Sequence, residues 1–142
     1  MENLNISSGA VELMIDNDPN RVIRFYPTDI SFAEGFYNLI QQYDRKRQEM
    51  EKRIEALKHE EKTQIEMNIE CTKMKREAFD VVREGIDNTF GVGTSQTVFG
   101  DCNTLDMVSR FFTGVTPYIQ NARQSEIERY TVDTESGVMK WG

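Results

Sequence analysis

The residues able to do chemistry are few and scattered. His59 is the only histidine, and it stands in the polar stretch Lys58-His59-Glu60-Glu61-Lys62-Thr63-Gln64 with no cysteine at metal-ligand spacing. A histidine-based triad or a histidine metal site needs more partners than this chain offers, so a solvated surface residue is the reading preferred for His59. Cys71 falls among charged residues and Cys102 near a helix start, where a thiolate can be stabilised. Neither has a dedicated base, and they form no CxxC pair, so both read as small packing residues. Glu60-Glu61 could suggest acid–base or metal chemistry, but in a segment this rich in Glu and Lys they read as a solvated helical face. Gly91-Val92-Gly93-Thr94 resembles part of a phosphate loop. No lysine occurs from residue 89 to 101, and a helical pattern rather than a strand precedes the glycines, so the motif reads as a structural turn. The expectation is a protein that is not an enzyme and holds no cofactor and no metal.

Charge narrows the partners. Formal net charge is -7. Residues 44–84 carry eleven basic and eleven acidic side chains, so the excess acid lies wholly on the flanks. Phosphate neutralisation requires clustered Lys and Arg, so nucleic-acid binding is disfavoured. Acidic flanks suit solubility and a basic or mixed-charge protein partner. No stretch approaches the roughly 20 apolar residues of a membrane span, and the N-terminus lacks a basic start followed by an apolar run. A cytoplasmic protein without membrane contact is expected.

The elements that position these residues are mostly helical. The 142-residue length fits a single domain, with residues 1–9 and 131–142 expected to be flexible. Val11, Leu13 and Ile15 alternate with Glu12 and Met14 like a half-buried strand. Asp16-Asn17-Asp18-Pro19-Asn20 is a dense turn signal, and Arg21-Val22-Ile23-Arg24-Phe25-Tyr26 is a second β-prone run, which together predict a β-hairpin with a five-residue turn. Thr28 or Asp29 then caps a helix. Gly91 ends the long helical pattern, with Phe90, Val98 and Phe99 pinning the following loop to the core. Leu105, Val108, Phe111 and Phe112 mark a helix that Gly114 and Pro117 break. Thr116-Pro117 opens a last one carrying Tyr118, Ile119, Ala122 and Ile127. Val138, Met139 and Trp141 fall in the tail. The fold class is therefore mostly α: an N-terminal β-hairpin, a long amphipathic helix or αα-hairpin over about residues 31–86, and two shorter C-terminal helices.

The amphipathic segment carries the functional reach. Phe36, Ile40, Tyr43, Arg47, Met50, Ile54 and Leu57 step by four and three residues, as a heptad seam does. The pattern lapses over residues 58–64 and resumes at Ile65, Ile69, Thr72, Arg76, Phe79, Val82 and Ile86. Two paths compete: one helix of about 80 Å at 1.5 Å per residue, or a hairpin turning in the polar patch. The absence of Gly and Pro tips the reading towards a continuous or nearly continuous helix. Charge pairs such as Glu49 with Arg53, Lys62 with Glu66 and Arg76 with Asp80 support helix on either path. The C-terminal helices would span at most about 39 Å, too little to cover an 80 Å seam. Phe36, Ile40, Tyr43, Met50, Ile54 and Leu57 are thus the candidate partner-binding residues, and a homo-oligomer is one way to cover them.

In this arrangement the chain resembles the tail assembly chaperone proteins of long-tailed phages and prophages of Firmicutes. The residues carrying the likeness are Arg21-Val22-Ile23-Arg24-Phe25-Tyr26-Pro27 with the Glu/Lys-rich helix behind it, Phe90-Gly91-x-Gly93-Thr94 through Val98-Phe99-Gly100-Asp101, and Phe111-Phe112 followed by Thr116-Pro117-Tyr118-Ile119. The likeness spans roughly residues 10–129. It implies a protein made in the bacterial host cell and absent from the finished particle. Such a protein binds the long helical tape measure protein, keeps it soluble and helps recruit the tail tube protein. Many such proteins also exist in a longer frameshifted form. The resemblance brings no catalytic residues. A self-associating coiled-coil subunit of a tail or secretion apparatus is the alternative expectation. A small secreted Trp-x-Gly effector fits less well, because Trp141-Gly142 is terminal.

Overall fold

The computed structural model describes residues 1–6 and 9–135, with side chains through Ser125. Its elements run β1 (Val11–Ile15), β2 (Asp18–Phe25), α1 (Ile30–Leu57), α2 (Gln64–Phe90), α3 (Thr94–Phe99) and α4 (Leu105–Glu135). The fold is mostly helical, with an antiparallel β-hairpin at the N-terminal end. Val138, Met139 and Trp141 of the expected tail lie outside the described residues.

The β-hairpin turns on two residues rather than five. Asp16 and Asn17 both take left-handed backbone angles (φ 52° and 59°), which short polar side chains tolerate best after glycine and which a tight hairpin turn demands. Val11 pairs with Phe25 and Leu13 with Ile23, placing one face of the ribbon against the helices. The register slips between Met14, paired with Val22, and Ile15, paired with Asp18. Pro19, which has no N–H to give a ladder, falls in that irregularity. So does Arg21, whose guanidinium is thereby aimed at α3, donating to the carbonyls of Thr97 (3.0 Å) and Val98 (2.7 Å).

Asp29 caps α1, its carboxylate accepting from the Ser31 N–H at 3.0 Å. α1 does not run on into α2. The chain reverses over residues 58–63, which corrects the expectation of a continuous helix. Two local causes explain it. Thr63 is extended (ψ 162°) and its hydroxyl accepts from the Glu66 N–H at 3.1 Å; Thr-x-x-Glu is a helix-start signature that needs neither Gly nor Pro. Arg53 then clamps the turn from inside, donating to Glu70 (2.7 Å) on α2 and to Glu60 (2.7 Å) in the turn. Lys62 adds to the same cluster at 3.6 Å from Glu70. Neither Arg53 nor Lys62 therefore makes the intrahelical pair read from the sequence, whereas Arg76 does lie 3.7 Å from Asp80. The larger cause is burial. Folding back sets the apolar face of α1 on Phe79, Val82 and Ile86 of α2, removing from water a seam that a lone rod would expose.

The hydrogen bond from Arg53, followed by the charges of Arg53 and Lys62, holds the Glu70 carboxyl below its ordinary range against a desolvation cost. A carboxyl depressed in the folded state stabilises it above the unfolded glutamate value, about 4.3, and that contribution is lost as pH falls through the folded value. Amide protection over residues 58–66, taken relative to the intrinsic exchange rate at each pH, is expected to fall on acidification below about pH 4. Glu70→Gln should abolish that dependence; an unchanged profile would place the acid response elsewhere.

Gly91, at φ 125°, closes α2. α3 is a short strap tied down at both ends. The Asp87 carboxylate accepts from the Ser95 N–H (2.8 Å) and hydroxyl (3.1 Å) at its start, and Arg21 holds its C-terminal carbonyls. Arg83, stacked on Phe79 and Phe99, donates to the Gly100 carbonyl at 2.7 Å just beyond. Val98 and Phe99 are buried, as expected of residues that pin this loop.

The two expected C-terminal helices are one. α4 passes through Gly114 and Pro117 and includes residues 131–135, which were expected in the tail. Val108, Phe111, Val115 and Ile119 form a buried stripe that continues across the proline. The Thr116 hydroxyl donates to the Phe112 carbonyl at 2.6 Å, and Pro117 faces outward, where the carbonyl deprived of its N–H partner can meet water. Packing on one face thus outweighs the local breaker signals. Around these helices the buried cluster gathers Phe25, Phe32, Phe36, Leu39, Tyr43, Phe79, Val82, Ile86, Phe99, Val108 and Phe111.

Candidate functional site

That cluster ends at Tyr43 on α1 and begins at Phe79 on α2. Beyond it the two helices continue together as an arm, since Tyr43 to Leu57 is about 21 Å of helix. The arm has its own small apolar seam: Met50, Leu57 and Ala78 are buried, and Met67, Cys71 and Met74 half-buried. Methionine fills the irregular space between two helices more readily than a branched side chain.

The six candidate partner-binding residues are not an open face. Phe36, Tyr43, Met50 and Leu57 are buried, and Ile40 and Ile54 half-buried. Phe36 and Tyr43 pack on Phe112 of α4, with ring centroids 5.9 and 5.7 Å apart. These residues hold the chain's own helices together, and a partner could reach them only by opening the fold. The reason is the hairpin itself: each half of the seam covers the other.

The register read for the start of α2 is also corrected. Met67, Cys71, Met74 and Ala78 form the inward face of the arm, and Ile65 and Ile69, two to four residues out of phase at 100° per residue, point away from α1. Ile65 is 72% exposed and Ile69 52% exposed. They sit one helical turn apart on a single face, with Lys62, Glu66 and Lys73 along one flank of it and Thr72 on the other. An apolar pair in charged surroundings, at the end of a projecting arm, is a geometry suited to another helix.

The residues considered for catalysis are not brought together. His59 is exposed in the turn, with Glu55 3.8 Å away. Cys71 lies on the arm and Cys102 is exposed beyond α3. Among the described residues no group of three His, Cys, Asp or Glu side chains could hold a metal ion. At the glycine turn, the carboxylate of Asp87 occupies the amide site that a phosphate would need. A cleft of about 620 Å³ runs along α1 and α2, floored by Gly35 and Gly85 and lined by Asn38, Gln42, Asn88 and Thr89. Both glycines answer to helix packing: a Cβ on Gly85 would stand 2.3 Å from Leu39 Cδ1, and one on Gly35 3.0 Å from Thr89 Oγ1. Among the described residues no helix is long and apolar enough to cross a membrane.

Comparison with curated proteins and with solved structures finds no match. A family model does match, from the last residue of β2 through α4, and so covers the helical hairpin, the strap and the helix behind them. The chain belongs to that family, described as a family of unknown function (DUF6673), through residues 25–136.

Proposed function

We propose that the protein is a non-catalytic phage tail assembly chaperone, which binds the helical tape measure protein and, with it, tail tube subunits in the cytoplasm of the bacterial host. The observation that carries this reading is the two-helix arm with Ile65 and Ile69 exposed on its outer face. A client helix laid against α2 would bury both isoleucines and meet charges of both signs along their flanks. The neutral balance of residues 44–84 suits a mixed-charge client over a polyanion. The sequence likeness to tail assembly chaperones supplies the identity of that client.

The test is co-expression with a tape measure protein of a Firmicutes phage or prophage, the long helical client this reading expects. The wild-type chain is expected to keep that protein soluble and to elute with it. The double variant Ile65→Glu/Ile69→Glu, altered only at exposed positions, should keep its own helical spectrum and lose the client. A client as insoluble with the wild-type chain as without it would refute the reading.

A further inference from the structure

The turn between α1 and α2 reverses the chain with no residue that forbids a helix. None of residues 58–63 is Gly or Pro. Among the described residues other than glycine, those with positive φ are Asp16 and Asn17, both in the β-hairpin. α1 thus lacks the glycine stop at which helices commonly end, whereas α2 closes on Gly91 with a positive φ of 125°. Lys58 keeps helical angles (φ −63°, ψ −21°). Helix-like bonding continues as the His59 N–H donates to the Ala56 carbonyl and the Glu60 N–H to the Leu57 carbonyl. Apart from the burial that pairs the two halves, what holds the reversal is the Thr63 cap and the Arg53 clamp, both made of exposed or half-exposed side chains.

We propose that this turn is a hinge through which two copies of the chain exchange halves. In the dimer residues 58–63 become helical, and α1 and α2 form one continuous helix. Residues 1–57 of each copy pack on residues 64–135 of the other. Every buried contact between the halves is kept, now between chains, so beyond the entropy of joining two chains the exchange costs only what the hinge loses. Three features favour a second copy as the occupant. Leu57, Met50 and Ala78 present the same apolar seam to either copy. The hinge residues Lys58, Glu60, Glu61 and Lys62 sum to no net charge, so two hinges crossing side by side do not repel. The arm sets each core about 21 Å from the hinge, which leaves room for two cores at opposite ends of the paired helices. Ile65 and Ile69 face away from α1 in either form, so client binding and exchange can be scored separately.

The experiment refolds the full chain at high protein concentration and measures its mass by light scattering behind size exclusion, immediately and after prolonged dilution. A monomer and a slowly exchanging dimer of unchanged helix content are expected. Thr63→Ala removes a cap that only the closed form uses. A cap is worth about fivefold in the helix equilibrium and each dimer has two hinges, so its dissociation constant should fall about 25-fold. His59→Gly/Glu61→Gly puts two poor helix formers into each straightened hinge; glycine costs a helical site about two- to threefold relative to His or Glu, and the dimer has four such sites, so the constant should rise roughly 30-fold. A Thr63→Ala protein that stays monomeric at every concentration would overturn the proposal. So would a dimer whose dissociation constant is unchanged in His59→Gly/Glu61→Gly, because it would be built on another surface.

Discussion

Phe36→Ala is expected to destabilise the fold by about 3–5 kcal/mol, the cost of emptying a buried aromatic site. Phe36 is fully buried and central to the aromatic cluster, with ring centroids 6.1 Å from Phe32, 6.2 Å from Phe90 and 5.9 Å from Phe112. It therefore joins α1 to the end of α2 and to α4 at once. Shrinking it leaves a void that three elements would have to move to fill, and interdigitated rings do not collapse readily. Against a total stability of about 5–15 kcal/mol, the melting temperature should drop by roughly 10–20 °C. Phe36→Leu, which keeps most of the volume, should cost far less. A calorimetric melt in which the alanine variant loses only a degree or two would mean that the core is not organised around this ring.

Much of this architecture is legible in the residues. The alternation of Val11, Leu13 and Ile15 and of Ile23 and Phe25 marks the ribbon, and the four–three spacing from Phe36 to Leu57 marks the inner face of α1. Three features are not legible, each for a physical reason. The reversal at residues 58–63 depends on Thr63 and Glu66, a start signal that is easily passed over beside a run of helix formers. The unbroken α4 depends on a stripe from Val108 to Ile119 whose burial outweighs Gly114 and Pro117, and burial is a property of the partner helices. The ties on α3 join residues far apart in sequence: Arg21 reaches Thr97 and Val98 across the whole helical hairpin.

The candidate surface was half legible. A seam of Ile65, Ile69, Thr72 and Arg76 has helical spacing, and spacing alone cannot say which of two stripes faces inward. Apolarity favours the isoleucines, yet the arm turns Met67 and Met74 inward instead. The change of face follows from the start of α2 at Thr63, which sets the phase of everything after it. The same start makes the six residues read as partner-binding into internal ones, and moves the exposed apolar surface from α1 to the first turns of α2.

Leu57→Ala separates the arm from the core. Leu57 is fully buried at the tip, outside the main cluster, where α1 ends against the turn. Its truncation should cost about 2–5 kcal/mol of local stability, because the other apolar groups there are few and flexible. The arm is joined to the core only through the two helices themselves, so it can open as a unit while Phe79, Val82 and Ile86 stay packed. Amide protection over residues 50–70 is therefore expected to fall by about 30-fold or more, while that of residues 79–86 holds. The melting temperature should move less than in Phe36→Ala. A uniform loss of protection along both helices would mean that arm and core unfold together. The half exchange proposed for the hinge does not turn on that outcome, because residues 1–57 and 64–135 also share the main core, from Phe36 and Tyr43 to Phe79 and Val82, and must part there whichever way the arm opens.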